Sequence, residues 1–270
     1  MINTISFIKL TNYCYRLKIP FDDIYTSVFL LTTEKGNVFV DCGTIPTDVT
    51  EYILPSLSLL GISAESVKGL FLTHSHSDHA GGLETFLENM PNITVFSFNR
   101  EICNKYTNSH LLVDEECILE HLICYSLPGH SNDASGILDL RTEALITGDS
   151  IQLWGIGKYG CGVGDAAAYV KSLAKLAENP PKQLYTSHAY FPLGDCAISK
   201  NEVMNYLIES KNAFEEIIKW TWDLFKVGQT DPIKISERIN KYMQQTMPNP
   251  PIIPVCTIVS ILNEVSKPNH

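Results

Sequence analysis

Over its first two thirds the chain places its apolar residues in short runs, each broken by Gly, Pro, Asn or charged residues. Runs of that length between turn formers read as strands. "YTSVFLLTT" and "NVFVDCG" flank "EKGN", which predicts a hairpin with Gly36 in the turn. "SVKGLFLT" predicts a buried strand, "GLETFLENMP" a helix stopped by Pro91, and "NITVFSF" the next strand. "EHLICYSLPGH", "SGILDLRTEALITGD" and "QLYTSHAY" each read as one apolar strand that stops at a His or an Asp. "GDAAAYVKSLAKLAENPP" predicts a helix capped by Asp165 and ended by two prolines.

From about residue 199 the spacing becomes helical, with Val203, Tyr206, Leu207, Phe214, Ile217, Ile218, Trp222 and Phe225 on one stripe and Gly228 as the stop. "DPIKISERINKYMQQTM" and "VCTIVSILNEV" predict two more helices around the proline-rich link "PNPPIIP". The expectation is a mixed α/β body over residues 1–195 and a helical C-terminal extension over 196–270 that packs on it, its stripes serving as core.

Composition narrows the classes of function. A chain of 270 residues can bury a sizeable core. Its formal charge of −10, with 20 basic against 30 acidic residues and no basic run, disfavours nucleic acid as a partner. No apolar run approaches the roughly 20 residues that cross a bilayer, and the opening stretch lacks the order of a leader peptide, so no membrane association is expected. Eight scattered cysteines without a Cys-x-x-Cys pair fit reduced thiols and a cytoplasmic location.

The chemistry is concentrated in "THSHSDH". In an extended segment residues two apart project to one side, so His74 and His76 can converge on one cation. Asp78 and His79 follow as the chain turns, and Ala80-Gly81-Gly82 allows tight backbone passage into the next helix. Imidazoles and a carboxylate are the ligand types that suit zinc and similar divalent ions. Three more polar residues stand at the ends of apolar runs: His130 in "LPGHSN", Asp149 in "LITGDS" and His188 in "LYTSHAY". His110, His121 and His270 are left without a role.

The order His-x-His-x-Asp-His, Gly-His, Gly-Asp and a last strand-terminal His resembles the metallo-β-lactamase superfamily. "VFVDCG" is similar to that superfamily's early strand ending in Asp-x-Gly, and the resemblance covers roughly residues 25–190. It implies a four-layer αβ/βα sandwich with a dinuclear site at one edge of two sheets. It implies two divalent metal ions, zinc in the first instance with iron or manganese as alternatives. His74, His76 and His130 would hold the first ion; Asp78, His79 and His188 the second; Asp149 would bridge both. Asp41 would support the ligands from behind, with a turn-capping role equally open. Ser187-His188-Ala189 departs from the Gly-His-Gly usual around the last ligand.

Such a pair of ions, with a bridging hydroxide, would make the chain a hydrolase of a small ester, thioester, lactone or amide, with Asp78 and Asp149 as catalytic residues. Trp154, Tyr159 and Tyr190 are the candidate substrate contacts, with packing roles weighed against that. A mononuclear-iron oxidoreductase similar to sulfur dioxygenases and a metal-retaining ligand-binding regulator stay open as alternatives, while the acidic balance weighs against a nuclease of the same superfamily. The expected partner is a small-molecule substrate, and a homodimer is left open.

Overall fold

The computed structural model of the chain describes residues 5–266, so His270 and the first residues of the opening stretch lie outside the described part. Two compact units make it up. The first takes in the chain up to Ser126 with residues 133–148 and 186–188; the second takes in 127–132, 149–185 and the chain from Ala189 onward.

A seven-stranded sheet lies within the first unit. Its strands follow the chain order: β1 (Ile8–Lys9), β2 (Cys14–Phe21), β3 (Ile24–Thr33), β4 (Gly36–Val40), β5 (Val67–Phe71), β6 (Thr94–Ser97) and β7 (Ser109–Leu111). The first four pair antiparallel, and β4 to β7 run parallel. The expected hairpin is β3 with β4, closed at Thr33 opposite Gly36, whose φ of +124° suits a glycine. Strand β2 went unread because Arg16 and Lys18 interrupt its apolar pattern, yet Arg16 is itself buried in the fold. Between β4 and β5 a π-helical segment, Asp48–Ile53, leads into helix α1 (Leu54–Leu59). Helices α2 (Ser77–Ala80), α3 (Leu83–Asn89) and α4 (Arg100–Lys105) follow. Leu30, Phe39, Leu70 and Val95 from the sheet share one core with Ile53, Leu57, Leu83 and Phe86 from the helical segments. Removing that apolar surface from water is the main force holding this sheet to its helices.

The second sheet has six strands, again sequential: β8 (Glu116–Ile118), β9 (Leu122–Ser126), β10 (Ser135–Asp139), β11 (Ala144–Ile146), β12 (Gln183–Tyr190) and β13 (Gly194–Ala197). "SGILDLRTEALITGD" is therefore two strands, β10 and β11, and not the one expected. Arg141 in the turn donates twice to Asp139, at 2.8 Å each, and fixes the reversal. The polar "RTE" marks that turn in the sequence.

In the second unit α5 (Ala166–Glu178) starts where expected, with the Asp165 carboxylate accepting from Ala168 N at 2.9 Å. Helix α6 (Lys200–Lys226) is capped by Ser199, which accepts from Glu202 N, while the Glu202 side chain accepts from Ile198 N. Its stripe is buried at Val203, Tyr206, Leu207, Phe214 and Ile217; Ile218, Trp222 and Phe225 are half-buried. Helices α7 (Pro232–Thr246) and α8 (Val255–Ser266) occupy the two predicted segments. The expected boundary at residue 195/196 falls within β13, which pairs with β12. No helix among the described residues is long and apolar enough to cross a membrane. All eight cysteines are thiols, and burial pushes those of Cys14 and Cys161 up to about 12, which keeps them protonated and unreactive.

Candidate metal centre

The histidine cluster lies where β5 ends and the chain bends into one turn of helix. His76 is the extended residue before α2, and its carbonyl accepts from His79 N at 3.1 Å and Ala80 N at 2.9 Å. His74 and His79 are buried, His76 is exposed and Asp78 is partly exposed. A Cβ on Gly81 would overlap the Thr44 carbonyl, and one on Gly82 the Cys42 carbonyl, so both glycines are required for the close passage read from the sequence.

Within the first unit the side chains form two groups. His74 Nε2 lies 3.0 Å from His76 Nδ1. Two nitrogens on one tetrahedral zinc, with bonds of about 2.05 Å, would stand about 3.3 Å apart. Asp78, His79 and His188 present ligand atoms within 4.8 Å of one another. The Asp78 Oδ2 atom is 3.4 Å from His79 Nε2 and 3.2 Å from His188 Nε2.

The outer partners decide what those atoms can do. His79 Nδ1 is 2.7 Å from Asp41 Oδ2, and His188 Nδ1 is 2.6 Å from the Tyr25 carbonyl. Each acceptor takes a proton from Nδ1, which in a neutral imidazole leaves a lone pair on Nε2. Two imidazole lone pairs thus converge on a carboxylate oxygen. Three electron-rich atoms so close repel one another unless a cation lies among them, so this donor set fits a divalent metal. His74 follows the same logic: the Thr73 hydroxyl donates to Asp41 at 2.8 Å and accepts from His74 Nδ1 at 3.2 Å.

Asp41 is buried and holds φ at +63°, a conformation that Asp and Asn tolerate better than most residues. Its carboxylate accepts from Thr73 N (2.8 Å), the Thr73 hydroxyl and His79 Nδ1. Burial pushes its pKa up, and His79 and Thr73 oppose that rise. Asp41→Asn keeps the backbone conformation and turns an amide donor toward two donors. Metal affinity should fall by about 10- to 100-fold in a chelator-competition titration. An unchanged affinity would remove Asp41 from the support of the centre.

The remaining expected ligands belong to the second unit. His130 and Asp149 stand on separate loops, with His130 Nε2 3.7 Å from Asp149 Oδ2. The His130 ring is bordered by the Gly162 carbonyl, 2.6 Å from Nδ1, and by the amide of Gln152. Beneath both loops lies Tyr169 of α5. Its hydroxyl accepts from Gln152 N at 3.0 Å, and Gly129 approaches so closely that a Cβ there would be 2.5 Å from Tyr169 Cα.

Of the aromatic candidates, Tyr190 is 2% exposed and belongs to packing. Trp154 is half-buried and stacks on Trp220, ring centroids 5.6 Å apart and planes at 27°. Tyr159, 36% exposed, is the one most open to a ligand. Sequence reasoning missed Thr73, Gln152 and the Tyr25 carbonyl. Thr73 adjoins the motif and Gln152 follows Asp149 by three positions, but nothing in their type or spacing signals a contact.

Comparison with known proteins agrees with this chemistry. Residues 22–95 match the family model of the Metallo-beta-lactamase superfamily. The "Beta-lactamase-like protein 2 homolog" of Caenorhabditis elegans is 27% identical over 206 residues, covering 74% of this chain and 66% of its own. An "Atrochrysone carboxyl ACP thioesterase" of Claviceps purpurea (strain 20.1) is 26% identical over 166 residues, covering 60% of this chain and 50% of its own. The chain thus spans between half and two thirds of the length of these relatives. The crystal structure of a metallo-beta-lactamase family protein from Thermus thermophilus superposes with a TM-score of 0.69 at 18% identity, covering 95% of this chain and 94% of that one. Residues 22–95 thus carry a likeness to the metallo-β-lactamase superfamily, and the chain shares its fold with the Thermus thermophilus structure.

Proposed function

We propose that the chain is a metal-dependent hydrolase of a small ester, thioester, lactone or amide. His74, His76 and His130 would hold one divalent ion, Asp78, His79 and His188 a second, with Asp149 shared. The observation that carries this reading is the convergence of His79 Nε2 and His188 Nε2 on Asp78 Oδ2, each imidazole already donating from Nδ1 to a fixed acceptor. The thioesterase among the relatives supports the substrate class.

Two divalent cations, when bound, bring the pKa of a water toward about 7 and polarise a carbonyl oxygen. The side chains do the rest. Asp41 and the Tyr25 carbonyl hold the imidazoles in the ligating tautomer. Asp78, its carboxyl partly open to solvent, would take a proton after attack and pass it to the leaving group. The carboxylates of Asp78 and Asp149 would offset part of the charge of two bound cations, a balance that would suit a neutral or weakly anionic substrate.

The test is metal analysis after purification from zinc-limited medium, together with a panel of simple esters, thioesters, lactones and amides. Two metals per chain with turnover on the panel is the expected result. One iron with oxygen uptake would replace hydrolysis by oxidation, and two metals without turnover would make the chain a ligand-binding regulator.

A further inference from the structure

We infer that Gln152 is a positioning residue that controls the tautomer of His130, and with it the readiness of the imidazole to ligate a metal. The inference rests on the metal-dependent reading above but is carried by a network internal to the second unit. Gln152 is 2% exposed, and three hydrogen-bonding groups from separate parts of the chain meet its side chain. Its Oε1 accepts from Gly162 N at 2.7 Å, and its Nε2 donates to the Asp149 carbonyl at 3.1 Å. These two backbone groups, one donor and one acceptor, fix which way the amide faces. The side chain therefore ties the backbone of Asp149 to the backbone of Gly162, and the Gly162 carbonyl is the acceptor for His130.

The same amide also governs the ring. His130 Nδ1 lies 2.6 Å from the Gly162 carbonyl and 2.7 Å from Gln152 Nε2. A ring nitrogen carries either a proton or a lone pair, so it satisfies one neighbour at a time. Protonated, Nδ1 donates to Gly162 and Nε2 offers its lone pair to a metal. With the proton on Nε2 instead, Nδ1 accepts from Gln152, and that tautomer cannot ligate. Gln152 and the Gly162 carbonyl thus set opposite tautomers of one candidate ligand, and the clamp on Gly162 keeps the ligating one within reach. A buried glutamine present only to satisfy two loops would leave the ring's tautomer indifferent to its replacement.

Gln152→Leu and Gln152→Glu separate these roles. Leucine removes the clamp and the competing donor. Glutamate keeps an acceptor for Gly162 N and offers Nδ1–H a second acceptor, which commits the ring to the ligating tautomer. The readouts are zinc affinity and stoichiometry by chelator competition, and ¹⁵N shifts of His130 in histidine-labelled, metal-free protein. In Gln152→Leu the ring loses the clamp and the competing donor together, so its ¹⁵N shifts should move and zinc affinity should change about 10- to 100-fold for one of two ions. Glutamate should move the His130 shifts toward the Nδ1–H form and bind zinc more tightly than the leucine variant. A folded Gln152→Leu with wild-type zinc affinity and unchanged ring shifts would overturn the role. Should the leucine variant not fold, unchanged shifts in Gln152→Glu would overturn it equally. If the wild-type chain takes up no zinc, the functional reading falls, and the metal-free shifts still decide the positioning role in the same way.

Discussion

Turnover by Asp78→Ala is expected to fall by roughly 10²- to 10⁴-fold, the usual contribution of a positioned acid–base group. Substrate affinity should change much less, because the proposed proton transfer contributes only as the reaction proceeds. Alanine removes two things together: a carboxylate among the ligand atoms of His79 and His188, and a base open to solvent on one side. Asp78→Asn divides them, since it keeps an oxygen in place while removing basicity. Both variants are to be assayed at saturating zinc with bound metal counted. A metal-replete Asp78→Asn with lost turnover supports the proton-transfer role. Near-normal turnover in it reduces Asp78 to a ligand, and near-normal turnover in the alanine variant removes it from the reaction.

The second large effect is at Gly148, and it acts on stability. This glycine holds φ at +53°, and a Cβ there would lie 2.5 Å from Thr73 Oγ1 and 2.6 Å from Thr73 Cβ. Thr73 is the hydroxyl that links Asp41 to His74, so an added methyl displaces the support of two histidines. Left-handed backbone costs an alanine about 1–2 kcal/mol, and overpacking a buried contact about 1–3 kcal/mol. Gly148→Ala should therefore lose about 2–5 kcal/mol in denaturant unfolding of the metal-free chain. Gly61→Ala is the control, because Gly61 has φ of +70° with open space around it. It should show the backbone cost alone. Equal losses in the two variants would mean that Thr73 yields without cost.

Most of the elements were legible because periodicity is a local signal. The runs that became β3, β5, β6 and β9, the helix α5 with its cap Asp165, and the stripe of α6 are set by neighbours in sequence. Where local polarity misled, a tertiary contact overrode it. Buried Arg16 lies in a strand, and Arg141 folds back on Asp139 to split one apparent strand into two.

The candidate ligands were equally legible, since His, Asp and their spacing are properties of the chain alone. Their protonation was not. The Nδ1 partner of His79 is Asp41, 38 positions away, and that of His188 is the Tyr25 carbonyl, 163 positions away. A sequence names the residues able to bind a cation. Only the folded backbone decides which ring nitrogen keeps a proton, because that depends on the acceptor a distant segment brings within about 3 Å.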